Sequence, residues 1–205
     1  VASLEAQVAV RDDADGLAVA HDRNAGDVLR ARQLEHFADG PGELGNMPRI
    51  RDVETMRALL ADLGAAVEWS GPNTVRVDAR SARPKPLDPG LCARIRASIL
   101  FAGPLLARFG TVKLPPPGGD VIGRRRVDTH FLALEQLGAS LRLGESYEIE
   151  ARELTGTEIF LDEPSVTGTE NALMAAVRAQ GRTRVPFTVT LPTMSVVLGT
   201  PMLLI

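Results

Sequence analysis

A block of this chain occurs twice, and the repetition limits the folds open to it. Residues 53–67, VETMRALLADLGAAV, align without gaps on residues 127–141, VDTHFLALEQLGASL, at an offset of 74 positions. Each copy has the apolar spacing of an amphipathic helix, with Val53, Met56, Leu59, Leu60 and Leu63 on one stripe and Val127, Phe131, Leu134 and Leu137 on the other. Gly64 and Gly138 follow, and a residue that reaches positive φ at little cost is what ends such a helix. A hairpin pattern comes next in both. Residues 67–69 and 74–78 flank Ser70, Gly71, Pro72 and Asn73, while residues 141–143 and 147–151 flank Gly144, Glu145 and Ser146.

A second, Ala- and Leu-rich helix closes each unit, over about 91–109 and about 169–180, ahead of Gly110 and Gly181. Gly103 and Pro104 lie inside the first, where a missing N–H and a ring crowding the preceding turn predict a kink or a division. Ala102, Gly103 and Ala107 leave room there for close packing on a neighbour. A blurred first unit is expected in residues 1–50, with a helix near 27–37 that ends at Gly40, Pro41 and Gly42. Amphipathic elements of this kind must cover one another's apolar faces. The expected architecture is therefore one α/β domain of repeated helix–hairpin–helix units, with three sheets around buried helices.

The 205 residues, 44% of them hydrophobic and 24% charged, suffice for one sizeable core or two small ones. A net charge of −3 supports neither a nucleic-acid partner nor an anionic membrane surface, and there is no apolar run long enough to span a bilayer. No signal peptide is visible, and a cytoplasmic location is expected. Cys92 is the single cysteine, which excludes an internal disulfide and a cysteine-based zinc site; it reads as a small buried hydrophobe. The three histidines, His21, His36 and His130, lack ligand spacing, so no metal and no cofactor is expected.

Residues 114–130, LPPPGGDVIGRRRVDTH, join a stiff Pro entry, a Gly-rich bend at Gly118 and Gly119, one carboxylate at Asp120, and the guanidinium groups of Arg124, Arg125 and Arg126. Pro and Gly let the backbone turn sharply and present Asp120 at a loop tip. Guanidinium forks and the free N–H groups of a helix entry both suit phosphate oxygens. This is the pattern of an active-site loop for a phosphorylated substrate; a solvated basic turn is the alternative.

Several of these segments, in order, resemble the UDP-N-acetylglucosamine enolpyruvyl transferase family, within the EPSP synthase-like superfamily. They are Arg96-Ala97-Ser98 in an apolar helix, Gly103 to Gly110, the Pro-Gly-Gly-Asp-x-Ile-Gly-x-Arg loop, the Leu137-Gly138-Ala139 stop, and Pro164 to Asn171. The match runs from about residue 47 to 185. The resemblance implies an inside-out α/β barrel, or prism, in which each of two similar domains is built from three repeated units. Residues 1–185 are read as one such domain, divergent over 1–46, followed by an apolar tail at 186–205.

The resemblance also implies the chemistry. Family members move the enolpyruvyl group of phosphoenolpyruvate to the 3-hydroxyl of UDP-N-acetylglucosamine by addition and elimination, the first committed step of peptidoglycan synthesis. Asp120 stands where most members carry a reactive Cys and some carry Asp, which implies the role of acid toward the methylene carbon. It also implies resistance to fosfomycin, an epoxide that alkylates the cysteine. A carboxyl can serve as that acid near neutral pH only if burial or a negative neighbour raises its pKa. By the same resemblance Arg96 and Arg125, with Arg23 and Asn24, hold phosphoenolpyruvate; Arg125, Arg126, Val127, Asp128 and Thr129 grip the uridine; and Ser165, Val166 and Thr167 bind the diphosphate at a helix N-terminus. Arg96 as an ion-pair partner, Asp120 as an Asx turn, Asp128 and Ser165 as helix caps, and His130 as packing beside the loop remain open.

Two departures accompany the match. The family's Lys-Asn pair, in a Ser-Gly-Ala-Lys-Asn context, is replaced by Arg23 and Asn24 in AHDRNA, and Arg126 replaces a usual Pro. The family's second domain, which supplies the general base and another phosphate-binding arginine, has no counterpart in these residues. The apolar tail is expected to pack on the domain, on that missing second domain, or on another copy of the chain. Two further readings stay open: a shikimate-type enolpyruvyl transferase, and a non-catalytic nucleotide-sugar-binding or interaction remnant.

Overall fold

The computed structural model describes residues 40–119 and 126–188, together with the strand backbone at 5–11, 18–20 and 29–30; side chains are described from 40 to 119 and from 126 to 185. Strands β1 (Glu5–Arg11), β2 (Ala18–Ala20) and β3 (Leu29–Arg30) precede β4 (Gly42–Leu44). Then come α1 (Arg51–Asp62), the hairpin β5 (Ala66–Gly71) and β6 (Thr74–Asp78), and a short α2 (Pro89–Cys92). A 3₁₀ helix (Arg96–Phe101) runs into α3 (Ala102–Phe109), followed by β7 (Thr111–Leu114). The second copy is α4 (Asp128–Gln136), β8 (Ser140–Leu143), β9 (Tyr147–Glu150) and α5 (Val166–Ala176), and β10 (Thr183–Thr188) ends it.

The two repeats fold alike. In each, a helix is followed by an antiparallel hairpin, and the strand before the helix adds to the hairpin's second strand, in the orders β4-β6-β5 and β7-β9-β8. Each unit thus opens with a strand that the helix–hairpin–helix pattern did not include. The stop residues Gly64 and Gly138 sit at φ 95° and 98°, the left-handed region their position demands. A third sheet, β10-β1-β2-β3, pairs the first strand with the last, in antiparallel register from Glu5 opposite Thr188 to Val10 opposite Thr183. Leu29 and Arg30 are strand rather than part of the helix expected over 27–37, because they pair with Val19 and Ala18; the rest of that expectation lies outside the described residues.

The β7-β9-β8 sheet turns one face outward. On β7, Val112 and Leu114 are buried while Lys113 is exposed, and Lys113 bonds the cross-strand Glu148 at 2.7 Å, which also pairs with Arg142 at 3.1 Å. Ion pairs on one face and aliphatic side chains on the other are what an antiparallel sheet with one wet side requires. The helices fill the inside. Leu59, Leu105, Leu106, Leu134, Ala172 and Ala175 are at most 2% exposed, and α5 packs against both α3 and α4. This is the inside-out α/β arrangement expected above.

The helix expected over 91–109 is divided into α2, the 3₁₀ helix and α3. Pro104 falls in the first turn of α3, where its missing N–H breaks no bond. Gly103 lets α3 approach α5 closely: a Cβ there would stand 2.5 Å from the Asn171 carbonyl oxygen.

Candidate active site

The base of the Gly-rich loop is docked on the turn between α2 and the 3₁₀ helix. Gly118 N–H donates to the Cys92 carbonyl at 3.0 Å, and Gly119 N–H donates to that of Ala93 at 3.2 Å. The contact admits no side chain, because a Cβ on Gly118 would lie 1.9 Å from the Ala93 oxygen. Gly119, at φ 87°, approaches the Arg96 nitrogen in the same way. The two glycines therefore place the start of the loop beside Arg96. Asp120 and Arg125 lie outside the described residues, as do Arg23 and Asn24.

Where the chain is described again, it is beside Arg96. The Arg96 guanidinium donates to the Arg126 carbonyl at 3.1 Å. The Arg126 side chain turns to three carboxylates: Asp128, bonded from Nε to both oxygens at 2.9 Å; Asp162, bonded from a terminal nitrogen at 2.6 Å; and Glu163 at 3.7 Å. Hydrogen bonding by Asp128, then by Asp162, raises the Arg126 pKa, and the Arg126 guanidinium holds the Asp128 carboxyl below its ordinary range. Arg126, Asp128 and Asp162 are solvent-exposed and Glu163 is half-buried, so screening limits what the cluster contributes to stability.

Thr129, 1% exposed, places its hydroxyl 3.1 Å from Asp162 Oδ1 and 3.2 Å from Glu163 Oε1. Asp128 does not cap α4: the cap residue is Val127, which makes no side-chain bond. Ser165 is a cap. Its hydroxyl accepts from Gly168 N–H at 3.0 Å and closes the first turn of α5, leaving Val166 and Thr167 exposed at the helix entry.

Beneath these segments lies a buried polar chain. Asn171, fully buried on α5, accepts from Gly103 N–H at 2.9 Å, and its amide nitrogen is 2.9 Å from the Ile99 carbonyl and 2.8 Å from His130 Nδ1. His130 Nε2 is 3.2 Å from the Thr167 hydroxyl. Burial first, then the Arg96 cation, lowers the His130 pKa to about 4, while Asp128 opposes the shift. Cys92 is buried, and desolvation pushes its thiol up to about 11, where it is inert as a nucleophile. No group of His, Cys, Asp and Glu that could hold a metal ion occurs among the described residues, and none of their helices is long and apolar enough to cross a membrane.

The structure thus gathers Arg96, Arg126, Val127, Asp128, Thr129, Ser165, Val166 and Thr167 around the N-terminal ends of α4 and α5 and the docked foot of the loop. Sequence reasoning missed Asp162 and Glu163, whose only signal was an acidic pair just before Pro164. It also missed the link of His130 to Asn171, a lone amide in an Ala- and Leu-rich run.

The family model of EPSP synthase (3-phosphoshikimate 1-carboxyvinyltransferase) matches residues 34–203. A UDP-N-acetylglucosamine 1-carboxyvinyltransferase of Bradyrhizobium diazoefficiens is 62% identical over 156 residues, covering 76% of this chain and 35% of that protein. One from Treponema denticola is 49% identical over 147 residues, covering 72% and 34%. The chain therefore spans about a third of the length of the curated relatives it matches. Among solved structures, the enolpyruvyl transferase NikO of Streptomyces tendae superposes with a TM-score of 0.57 at 19% identity, over 84% of this chain and 42% of the other. An EPSP synthase of Acinetobacter baumannii superposes with a TM-score of 0.56 at 16% identity, over 92% and 44%. Both have this fold.

Proposed function

Since this chain belongs to the EPSP synthase family, we propose that it carries one half of an enolpyruvyl transferase site, for transfer from phosphoenolpyruvate to the 3-hydroxyl of UDP-N-acetylglucosamine. In the addition, the methylene carbon of phosphoenolpyruvate takes a proton from Asp120, the sugar oxygen bonds to the neighbouring carbon, and a base removes the hydroxyl proton. In the elimination, a base takes a proton from the methyl group so formed, the carbon–carbon double bond re-forms and the carbon–oxygen bond to phosphate breaks, leaving the enol ether and inorganic phosphate. Arg23, Asn24, Arg96 and Arg125 are assigned to phosphoenolpyruvate, where cationic donors stabilise charge moving onto the leaving phosphate. Residues 125–129 are assigned to the uridine and Ser165, Val166 and Thr167 to the diphosphate. The reaction belongs to peptidoglycan synthesis, and a cytoplasmic site of action suits its substrates.

The observation that carries the reading is the docking of Gly118 and Gly119 against the Ala93–Arg96 turn, with Arg96 bonded to the Arg126 carbonyl. The loop foot and the turn are joined there by backbone contacts that tolerate no side chain, and the Arg96 side chain ties the turn to the segment that follows the loop. The identities above favour the nucleotide sugar over shikimate 3-phosphate as the second substrate. No residue of these 205 is assigned as the general base, which is placed in a second domain. Titration calorimetry tests the reading. UDP-N-acetylglucosamine should bind and shikimate 3-phosphate should not, Arg125→Ala should weaken binding more than Arg80→Ala does, and the 205-residue chain alone should release no phosphate from phosphoenolpyruvate. Preference for shikimate 3-phosphate, or binding of neither ligand, would overturn it.

A further inference from the structure

The buried chain through Asn171 has a direction. The Asn171 amide is oriented by two backbone groups of opposite character: its oxygen accepts from Gly103 N–H at 2.9 Å, and its nitrogen faces the Ile99 carbonyl at 2.9 Å. A flipped amide would set oxygen against oxygen and N–H against N–H, both fully buried, at the cost of two unmade bonds. The second amide hydrogen must therefore point at His130 Nδ1, 2.8 Å away. A ring nitrogen that receives a proton donor cannot itself carry a proton. His130, 2% exposed, is left neutral with its proton on Nε2, which faces the Thr167 hydroxyl oxygen at 3.2 Å. Thr167 then accepts, and its own hydrogen is the one donor of this relay that meets no acceptor among the described residues. Thr167 is exposed in the first turn of α5, next to the Ser165 cap.

We propose that Asn171 is a positioning residue: it fixes His130 as the Nε2–H tautomer, so that the Thr167 hydroxyl is held as a donor toward an anionic oxygen of the bound nucleotide. The proposal rests on the assignment of residues 165–167 to the diphosphate. Charge around the ring agrees with it. The groups acting on His130 are the Arg96 cation, which disfavours imidazolium together with burial, and Asp128, which favours it. The chain also ties the two halves of the site, since its input is the backbone of α3 and the 3₁₀ helix that carries Arg96, and its output is the entry of α5.

Long-range ¹⁵N–¹H correlation spectra of the full chain distinguish protonated from bare ring nitrogens. With three histidines in the sequence, His130 is assigned by loss of its signals in His130→Gln. At pH 7 the unmodified chain should show Nδ1 bare and Nε2 protonated, whereas Asn171→Asp, which faces Nδ1 with a carboxylate, should show Nδ1 protonated. UDP, used as the probe in calorimetry, should bind about tenfold more weakly to Asn171→Asp and to His130→Leu, as the loss of one hydrogen bond to a charged oxygen predicts. His130→Gln keeps an amide N–H near the Nε2 position and should retain UDP affinity even where its melting temperature falls, a rescue that a purely structural role would not produce. A protonated Nδ1 in the unmodified chain overturns the proposal, and so does unchanged UDP affinity in Asn171→Asp or an equal loss in His130→Gln and His130→Leu. If the unmodified chain does not bind UDP, the nucleotide reading falls, and the ring spectra still decide whether Asn171 sets the tautomer.

Discussion

Helices α1 and α4 are copies of one pattern, yet of the two only α4 borders the candidate site. At matched positions the residues are Glu54 and Asp128, Thr55 and Thr129, Met56 and His130. In α1 the polar groups are satisfied at home. Thr55 donates back to the Arg51 carbonyl at 2.8 Å, Glu54 accepts from Trp69 on the adjoining hairpin at 3.0 Å, and Met56 packs on the core. In α4 the same positions reach outward: Asp128 and Thr129 to the cluster of Arg126, Asp162 and Glu163, and His130 to Thr167 and Asn171 on α5. The pair teaches that the repeat specifies a scaffold, and that a few polar residues at the N-terminal end of one copy redirect its bonds to other segments. Burial is equal at the Thr position, 5% and 1% exposed, so exposure alone does not separate them.

The largest expected contrast is in pH dependence. The His130 pKa is lowered from 6.5 to about 4, so between those values the unfolded chain binds more protons than the folded one and stability falls as pH drops through that window. The loss is roughly 3 kcal/mol. Chemical denaturation at pH 7 and pH 4 should show it in the unmodified chain and show it diminished in His130→Met, which restores at this position the residue of α1. A slope unchanged by the substitution would dissociate the effect from His130.

At pH 7 the comparison can be made directly. His130→Met leaves a buried Asn171 N–H without its acceptor and should cost about 2 kcal/mol, whereas Met56→Leu, a volume-conserving change in α1, should cost less than about 1 kcal/mol. Equal costs would mean that the two copies are energetically alike at this position.

A smaller difference is expected at the helix stops. Alanine at either Gly64 or Gly138 must adopt positive φ, at roughly 1 kcal/mol. At Gly64 the new Cβ would also stand 3.0 Å from the Ser81 carbonyl oxygen, against 3.6 Å from that of Glu153 at Gly138. Gly64→Ala should therefore lower the melting temperature more than Gly138→Ala. The smallest effect is reserved for the exposed cluster: Arg126→Ala should change stability little, and what change there is should fade at high salt. A large, salt-independent loss would show that the cluster is part of the framework.

Much of this was legible in the sequence. The duplicated helix, the two hairpins and the glycine stops are encoded by periodicity and by positive φ, which are local properties, and residues 53–78 and 127–150 read them out directly. The close packing of Gly103 was also foreseeable from its small neighbours. The candidate residues around Arg96 and 126–129 came from motif order, because a motif preserves chemistry that a single propensity does not.

What only the tertiary structure decided was which partner each polar group takes. Nothing near Asp128 or Thr129 in the chain announces Asp162 and Glu163, and nothing near His130 announces Asn171, because these bonds are chosen by how α4 and α5 pack. The strand at Leu29–Arg30 and the pairing of β1 with β10 have the same origin: each is a local segment whose conformation is set by a distant one. Local order follows from local sterics and periodicity. A site follows from burial, which makes an unmade hydrogen bond costly and so forces each buried donor to find its acceptor, wherever in the chain that acceptor lies.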